Sequence, residues 1–299
     1  MCGAGFIGTH LIAQLLVEGF DVNVLDHNPC PPTLVGRANW FCGEFTDERL
    51  LRGALQGAEV AYHLVSSTVP GDDHVEVIQE LSDNIFATLR FIDACVASEV
   101  QRIVFVSSSS VYGLQQVTPI RETAQTDPIS SHGIHKLTIE KYLLLYRFNH
   151  DIDVRIIRLS NPFGPGQNLH GRQGFIAIAI GNVLGVRPIL LRDAGSPIRD
   201  FIYIDDVARA LVLAGFTAGA PSVINIGTGT GYSLADVVAL VGEVLGRRMS
   251  VERGDLRRVD IPVSVLDIEL ARRSINFEPT ITLREGLVRT LHHHGLETV

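Results

Sequence analysis

Apolar runs of strand length alternate with longer stretches of helical apolar spacing through the first half of the chain. Asp21 to Leu25, Val60 to Val65, Arg102 to Val106 and Val154 to Leu159 read as buried strands. Thr9 to Glu18, Asn84 to Ser98 and Gly133 to Phe148 read as the helices among them. That rhythm is the pattern of βαβ units and predicts an α/β fold with a doubly wound parallel sheet. The Pro and Gly cluster from Asn161 to Gln167 marks a boundary. Beyond it the pattern loosens into a helix from Phe175 to Leu184, short strands near Pro188 and Phe201, a helix from Asp205, a strand from Val223 to Ile226 and a helix from Leu234 to Leu245. The expected organisation is a parallel-sheet domain over residues 1–165 and a smaller α+β lobe over 166–299, with some segments of the second returning to the first.

With 46% hydrophobic and 19% charged residues, the 299-residue chain has ample material for a core, which excludes disorder as its main state. A net charge of −8 argues against a nucleic-acid binder and makes small molecules the expected partners. No apolar run approaches the ~20 residues of a membrane span, and the first residues lack the basic and apolar regions of a signal peptide, so no membrane association and a cytoplasmic location are expected. Cys2, Cys30, Cys42 and Cys95 show no CxxC pairing and read as reduced thiols, with no metal site. His292-His293-His294 reads as a solvated helix face.

Gly3-Ala4-Gly5-Phe6-Ile7-Gly8 spells GxGxxG and leads into an apolar helix. Glycines let backbone approach a pyrophosphate, whose charge then meets the free N–H groups at the helix start. Asp26 closes the next strand 18 residues after Gly8, where a carboxylate accepts from an adenosine ribose diol and repels a 2′-phosphate, favouring NAD over NADP. The motif also asks for a strand before the glycines, and only Met1 and Cys2 precede them, so the first, central strand of a Rossmann-type sheet is expected to be missing.

Three motifs occur in order: the glycine loop with Asp26, then Ser107-Ser108-Ser109-Ser110-Val111-Tyr112-Gly113, then Arg199-Asp200-Phe201-Ile202-Tyr203-Ile204-Asp205-Asp206-Val207. Together they resemble the extended short-chain dehydrogenases, specifically the NAD-dependent sugar-nucleotide epimerase/dehydratase family typified by UDP-glucose 4-epimerase. The resemblance runs from residue 2 to about Leu287. The family's GxxGxxG aligns on positions 2, 5 and 8, so Cys2 stands where a glycine is usual, which weakens the pyrophosphate contact. The resemblance makes Gly5, Phe6, Ile7, Gly8 and Asp26 cofactor-binding, assigns Glu44 and Phe45 to the adenine, and places His63-Leu64 at the strand end under the cofactor.

It also implies a catalytic Ser four residues before the tyrosine of VYG, here Ser108, and a YxxxK pair on the following helix. Counting around Lys136 gives His132, so the family tyrosine is replaced by histidine. In the family, the phenolate takes the hydroxyl proton as hydride leaves the sugar carbon for NAD, and the lysine lowers the phenol's pKa and binds the nicotinamide ribose. Imidazole, with an ordinary pKa of about 6.5, is a competent base, although its ring is shorter than phenol and Lys136 depresses its imidazolium. Two readings stay open: His132 is a working base, or the site binds without turnover. His135 reads as a packing change rather than a second base.

The resemblance gives Asn161 the phosphate region of the nucleotide sugar, and Arg199 and Arg258 of the second lobe the diphosphate, for which a guanidinium fork is well suited. Asp205 and Asp206 read as helix cap and dipole partners. The resemblance implies a UDP-hexose 4-epimerase working by transient C4 oxidation with NAD. The alternatives are an impaired NAD or nucleotide-sugar binder and a sugar-nucleotide reductase or dehydratase. It also implies a homodimer paired through the helices near Asn84 to Ser98 and Gly133 to Phe148.

Overall fold

The computed structural model of the chain describes residues 1–66, 77–171, 173–255 and 260–299. The glycine loop leads into α1 (Phe6–Val17), followed by β1 (Asn23–Asp26), β2 (Asn39–Cys42), α2 (Glu48–Leu55) and β3 (Val60–His63). The next described segment is helical throughout: α3 (Val77–Glu80), a π-helical stretch (Leu81–Phe86) and α4 (Ala87–Ala97). Then come β4 (Arg102–Ser108), α5 (Ser131–His150), β5 (Asp153–Leu159), β6 (Asn161–Phe163) and α6 (Phe175–Leu184). They are followed by β7 (Ile189–Arg192), β8 (Ile198–Tyr203), α7 (Ile204–Phe216), β9 (Val223–Ile226), β10 (Gly231–Ser233) and α8 (Leu234–Val244). The chain closes with β11 (Val251–Gly254), β12 (Val263–Ser264), α9 (Glu269–Ile275) and α10 (Leu283–His293).

The main sheet consists of the parallel pair β1–β2 and the parallel set β3–β4–β5–β9, and Cys2 joins them. The slot of the strand expected to be missing is held by this one residue, which bridges Leu25 on one side and His63 on the other. Cys2 N–H donates to Tyr62 O at 2.9 Å and Cys2 O accepts from Leu64 N–H at 3.0 Å, while Gly3 N–H donates to Leu25 O at 3.0 Å and Leu25 N–H to Met1 O at 2.9 Å. A residue in extended backbone offers bonds to both neighbours, so the two parts of the sheet stay in register around it. The order β2–β1–Cys2–β3–β4–β5–β9 is that of a Rossmann-like sheet.

Side-chain alternation along the buried strands sorts the core onto two faces. Val104 and Ile157 pack with Leu11, Ile12 and Leu15 of α1 and Val207 and Leu211 of α7. Ile103, Phe105 and Ile156 point the other way, onto Leu51 of α2, Phe91 and Ile92 of α4, and Ile139 and Leu143 of α5. The Cys2 side chain is buried in this second core, and burial pushes its thiol up to about 11. In the second half, β8 lies between antiparallel β10 and parallel β12 and also pairs with β6, while β7 pairs with β11. Strand β9 returns to the main sheet beside β5.

Two helix starts shape the site. α1 begins at Phe6, three residues before its apolar spacing suggests, because Gly5 takes the extended N-cap conformation. α5 begins at Ser131 because the Ser130 hydroxyl accepts from Gly133 N–H at 3.2 Å, and the helix ends where Asp151 turns left-handed. This early start puts His132 in the first turn of α5 and Lys136 one turn further on.

Candidate active site

A cleft of about 520 Å³ opens where the ends of β4, β5 and β8 meet the glycine loop. Gly5, Phe6, Ile7, Gly8, Ser108, His132, Lys136, Asn161 and Arg199 all line it, so the structure brings nine of the predicted residues to one wall-to-wall site. Asp26 stands behind the loop, and Glu44 and Phe45 are not among its lining. Arg258 lies outside the described residues.

The glycine loop is close-packed on its inner side and open on its outer side. A Cβ on Gly8 would sit 2.1 Å from Gly3 O, whereas one on Gly5 would meet nothing within 4 Å and would project into open space. Gly3 adopts φ +94°, a backbone state that suits glycine. The first turn of α1 carries no acidic residue and no side-chain cap, leaving its N–H groups and positive end for an anion. Asp26, nearly buried, accepts from Ala4 N–H at 2.6 Å through Oδ2 and from Asn28 N–H at 2.8 Å through Oδ1. Its carboxylate therefore also braces the loop. These features, together with Lys136, fit a dinucleotide: the bare outer face of Gly5 is where bulk would obstruct a pyrophosphate. Cys2 points into the core and does not intrude on that face.

Ser108 ends β4 and caps the short 3₁₀ turn Ser109–Tyr112, its Oγ accepting from Ser110 N–H at 3.1 Å and lying 2.9 Å from Ser110 Oγ. Lys136 Nζ donates to Val106 O at 2.9 Å and lies 4.8 Å from the centre of the Phe105 ring. Burial lowers its pKa to about 8, with Glu140 opposing the fall. His132 is 8% exposed, enough to face the cleft without being solvated like a surface imidazole. Below them His63 donates to or accepts from Thr88 Oγ1 at 2.8 Å, edge-on to Phe45, Phe91 and Phe105; burial, then Lys136, hold its pKa down at about 3. His135 turns away from the cleft, with Nδ1 3.7 Å from Glu80 Oε2.

Asn161, at the end of the first domain, donates from Nδ2 to Asp200 O at 3.1 Å, and Arg199 of the second lobe is half-buried with an N–H on Ile198 O at 2.9 Å. Burial lowers the Arg199 pKa and Asp260 opposes that. Asp200 is fully buried and ties this floor together by accepting from Thr228 and Gly229. Two cleft residues escaped the sequence reading: Ser160 Oγ and Gln167 Oε1 are buried and lack a hydrogen-bond partner among the described residues. Their signal was present, since both flank the Asn161 motif, but a Ser and a Gln in a Pro/Gly-rich turn look like loop polarity.

With this geometry in place, the comparisons decide the family. The model of the NAD dependent epimerase/dehydratase family matches residues 2–227. The chain belongs to that family. It is 30% identical to the UDP-glucose 4-epimerase of Mycolicibacterium smegmatis, over 96% of this chain and 95% of that protein. The crystal structure of Thermotoga maritima UDP-glucose 4-epimerase with UDP-glucose superposes with a TM-score of 0.92 at 28% identity, covering 98% of this chain and 97% of that one. MoeE5 in complex with UDP-glucuronic acid and NAD gives a TM-score of 0.88 at 31% identity, covering 98% and 96%. Membership makes this chain an NAD-dependent enzyme of the family's Rossmann-like fold. Among the described residues no helix is long and apolar enough to cross a membrane.

Proposed function

We propose that the protein is a UDP-sugar 4-epimerase in which His132 performs the proton transfer that a tyrosine performs in the family. The observation that carries the reading is the convergence of Ser108, His132 and Lys136 on one cleft with the glycine loop at one end and Asn161 and Arg199 at the other. Relatives that cover nearly the whole chain are named for this reaction.

Gly5, Phe6, Ile7 and Gly8 hold the dinucleotide pyrophosphate, Asp26 and Glu44 with Phe45 its adenosine half, and the Lys136 ammonium its nicotinamide ribose. When bound, NAD supplies the acceptor and later the donor of hydride at the sugar C4. His132 accepts the C4 hydroxyl proton on a ring nitrogen and returns it, and Ser108 Oγ orients that hydroxyl. Lys136, fixed on Val106 O, adds a positive field that favours the developing alkoxide. Arg199 and Arg258 bind the diphosphate, Asn161 its sugar side, and Ser160 and Gln167 offer unfilled hydrogen-bonding atoms to sugar hydroxyls. In this reading residues 1–165 hold the cofactor and bring Ser108, His132, Ser160 and Asn161 to the nucleotide sugar, and residues 166–299 add Gln167, Arg199 and Arg258.

A homodimer paired through α4 and α5 belongs to the same reading. Ile134, Tyr142, Leu145 and Phe148 recur at helical spacing on α5 and are exposed, as is Phe86 beside α4. Such a stripe is the kind of surface that a second copy buries. The test of function is conversion of UDP-galactose to UDP-glucose, and of the corresponding uronic acid pair, by purified protein with NAD, read by anion-exchange chromatography. Bound NAD with no conversion of any UDP-sugar would replace this reading with a binding protein.

A further inference from the structure

The buried charges beneath the cleft form a chain that the proton-transfer residues alone do not explain. Glu140, 1% exposed, lies one turn beyond Lys136 on α5. Its Oε1 accepts from Ser107 Oγ at 2.5 Å, and its Oε2 from Arg158 NH2 at 2.7 Å, with Arg158 Nε 3.2 Å from both oxygens. Arg158, on β5, stacks over Tyr112 at 4.8 Å, and Tyr112 OH donates to Asn225 Oδ1 at 2.6 Å. Ser107 lies between Val106, whose carbonyl holds Lys136, and Ser108.

Resting on the function proposed above, we propose that Glu140 is a positioning residue that keeps Lys136 in its ammonium form against the Val106 carbonyl. A fully desolvated ammonium reverts toward the neutral amine unless an opposite charge is near. Among the described residues, Glu140 on its own helix and His63 from β3 interact electrostatically with Lys136, His132 lines the same cleft one turn back on α5, and Glu140 is the carboxylate that opposes the effect of burial on Lys136. Arg158 fixes the carboxylate in place with its Nε and NH2 groups, and Ser107 ties that carboxylate to the strand that carries both Val106 and Ser108.

The sequence makes a direct test possible, because Lys136 and Lys141 are its only two lysines. In protein labelled with ¹³C-lysine, two Cε resonances are read: buried Lys136, with its midpoint near pH 8, and exposed Lys141, which serves as the internal reference. Glu140→Gln is expected to lower the Lys136 midpoint by about one pH unit or more, a roughly tenfold loss of ammonium above the midpoint, and to leave Lys141 unmoved. Glu140→Asp should restore part of the shift. Because Glu140→Gln strands a buried guanidinium, Glu140→Gln/Arg158→Met is titrated as well, with the same expected fall. An unchanged Lys136 midpoint in a folded variant of either kind overturns the proposal. The titration is read without substrate, so a normal shift in a protein that converts no UDP-sugar would remove the proposed function and leave this inference standing.

Discussion

Lys136 Nζ sits 2.9 Å from the carbonyl oxygen of Val106, inside a site where burial lowers its pKa to about 8. Holding an ammonium there opposes folding, because the unfolded chain keeps the proton up to the ordinary value of 10.5. The shift corresponds to roughly 3 kcal/mol below pH 8, and between pH 8 and 10.5 the wild type regains it, because the folded protein has released its proton while the unfolded chain still binds one. Lys136→Met should therefore unfold at a higher temperature than wild type at pH 7, with the difference shrinking as the pH rises toward 10.5, and should lose conversion. Calorimetry across that range checks the sign.

His63 makes the opposite end of the pH range informative. Its pKa of about 3 in the folded protein lies below the ordinary 6.5, so the unfolded chain binds a proton that the folded one refuses. Stability present above pH 6.5 is then lost as the pH falls toward 3, by up to about 1.4 kcal/mol per unit. His63→Gln, which can still meet Thr88, should show a flatter decline over pH 6.5 to 4 in urea unfolding. An unaltered slope would mean that His63 is protonated in the folded state.

Gly8 tests the loop. A methyl at position 8 would overlap Gly3 O at 2.1 Å, and the atom it meets is backbone. Gly8→Ala should displace the loop and weaken NAD binding by at least about tenfold in calorimetric titration, while Gly5→Ala, whose methyl meets no protein atom, should keep the fold's stability and still weaken binding.

The α5 stripe yields a prediction about assembly. Phe148 is 84% exposed in the isolated chain. If a second copy covers it, Phe148→Glu should convert a dimer into a monomer in sedimentation experiments with little change in thermal stability at low concentration.

Much of the parallel sheet is legible because its strands are buried on both faces and read as short, strongly apolar segments, uninterrupted in Ile103–Val106 and broken only by Arg155 in Val154–Ile157. Strand β2 leaves little sequence signal, since Asn39–Cys42 lies at the sheet edge with exposed Asn39 and Cys42 and has no continuous apolar run. Too few residues precede the glycines to signal a first strand, yet backbone bonding to Cys2 from both sides fills its slot with a single residue. At the site, motif spacing identified Ser108, His132 and Lys136. It could not identify Glu140 and Arg158, which meet only because α5 packs across β5, nor the turn of Asp26 toward Ala4. Such pairings are set by tertiary contact and leave no local pattern.

The most direct measurement of the central claim is the absorbance of reduced nicotinamide after UDP-galactose or UDP-glucose is added to the NAD-loaded protein, in wild type, His132→Phe and His132→Tyr. The account predicts a rise in wild type, a rate lower by about 10²-fold or more in His132→Phe, and a restored or faster rise in His132→Tyr. Equal rates in wild type and His132→Phe, or no rise in wild type with NAD bound, would contradict it.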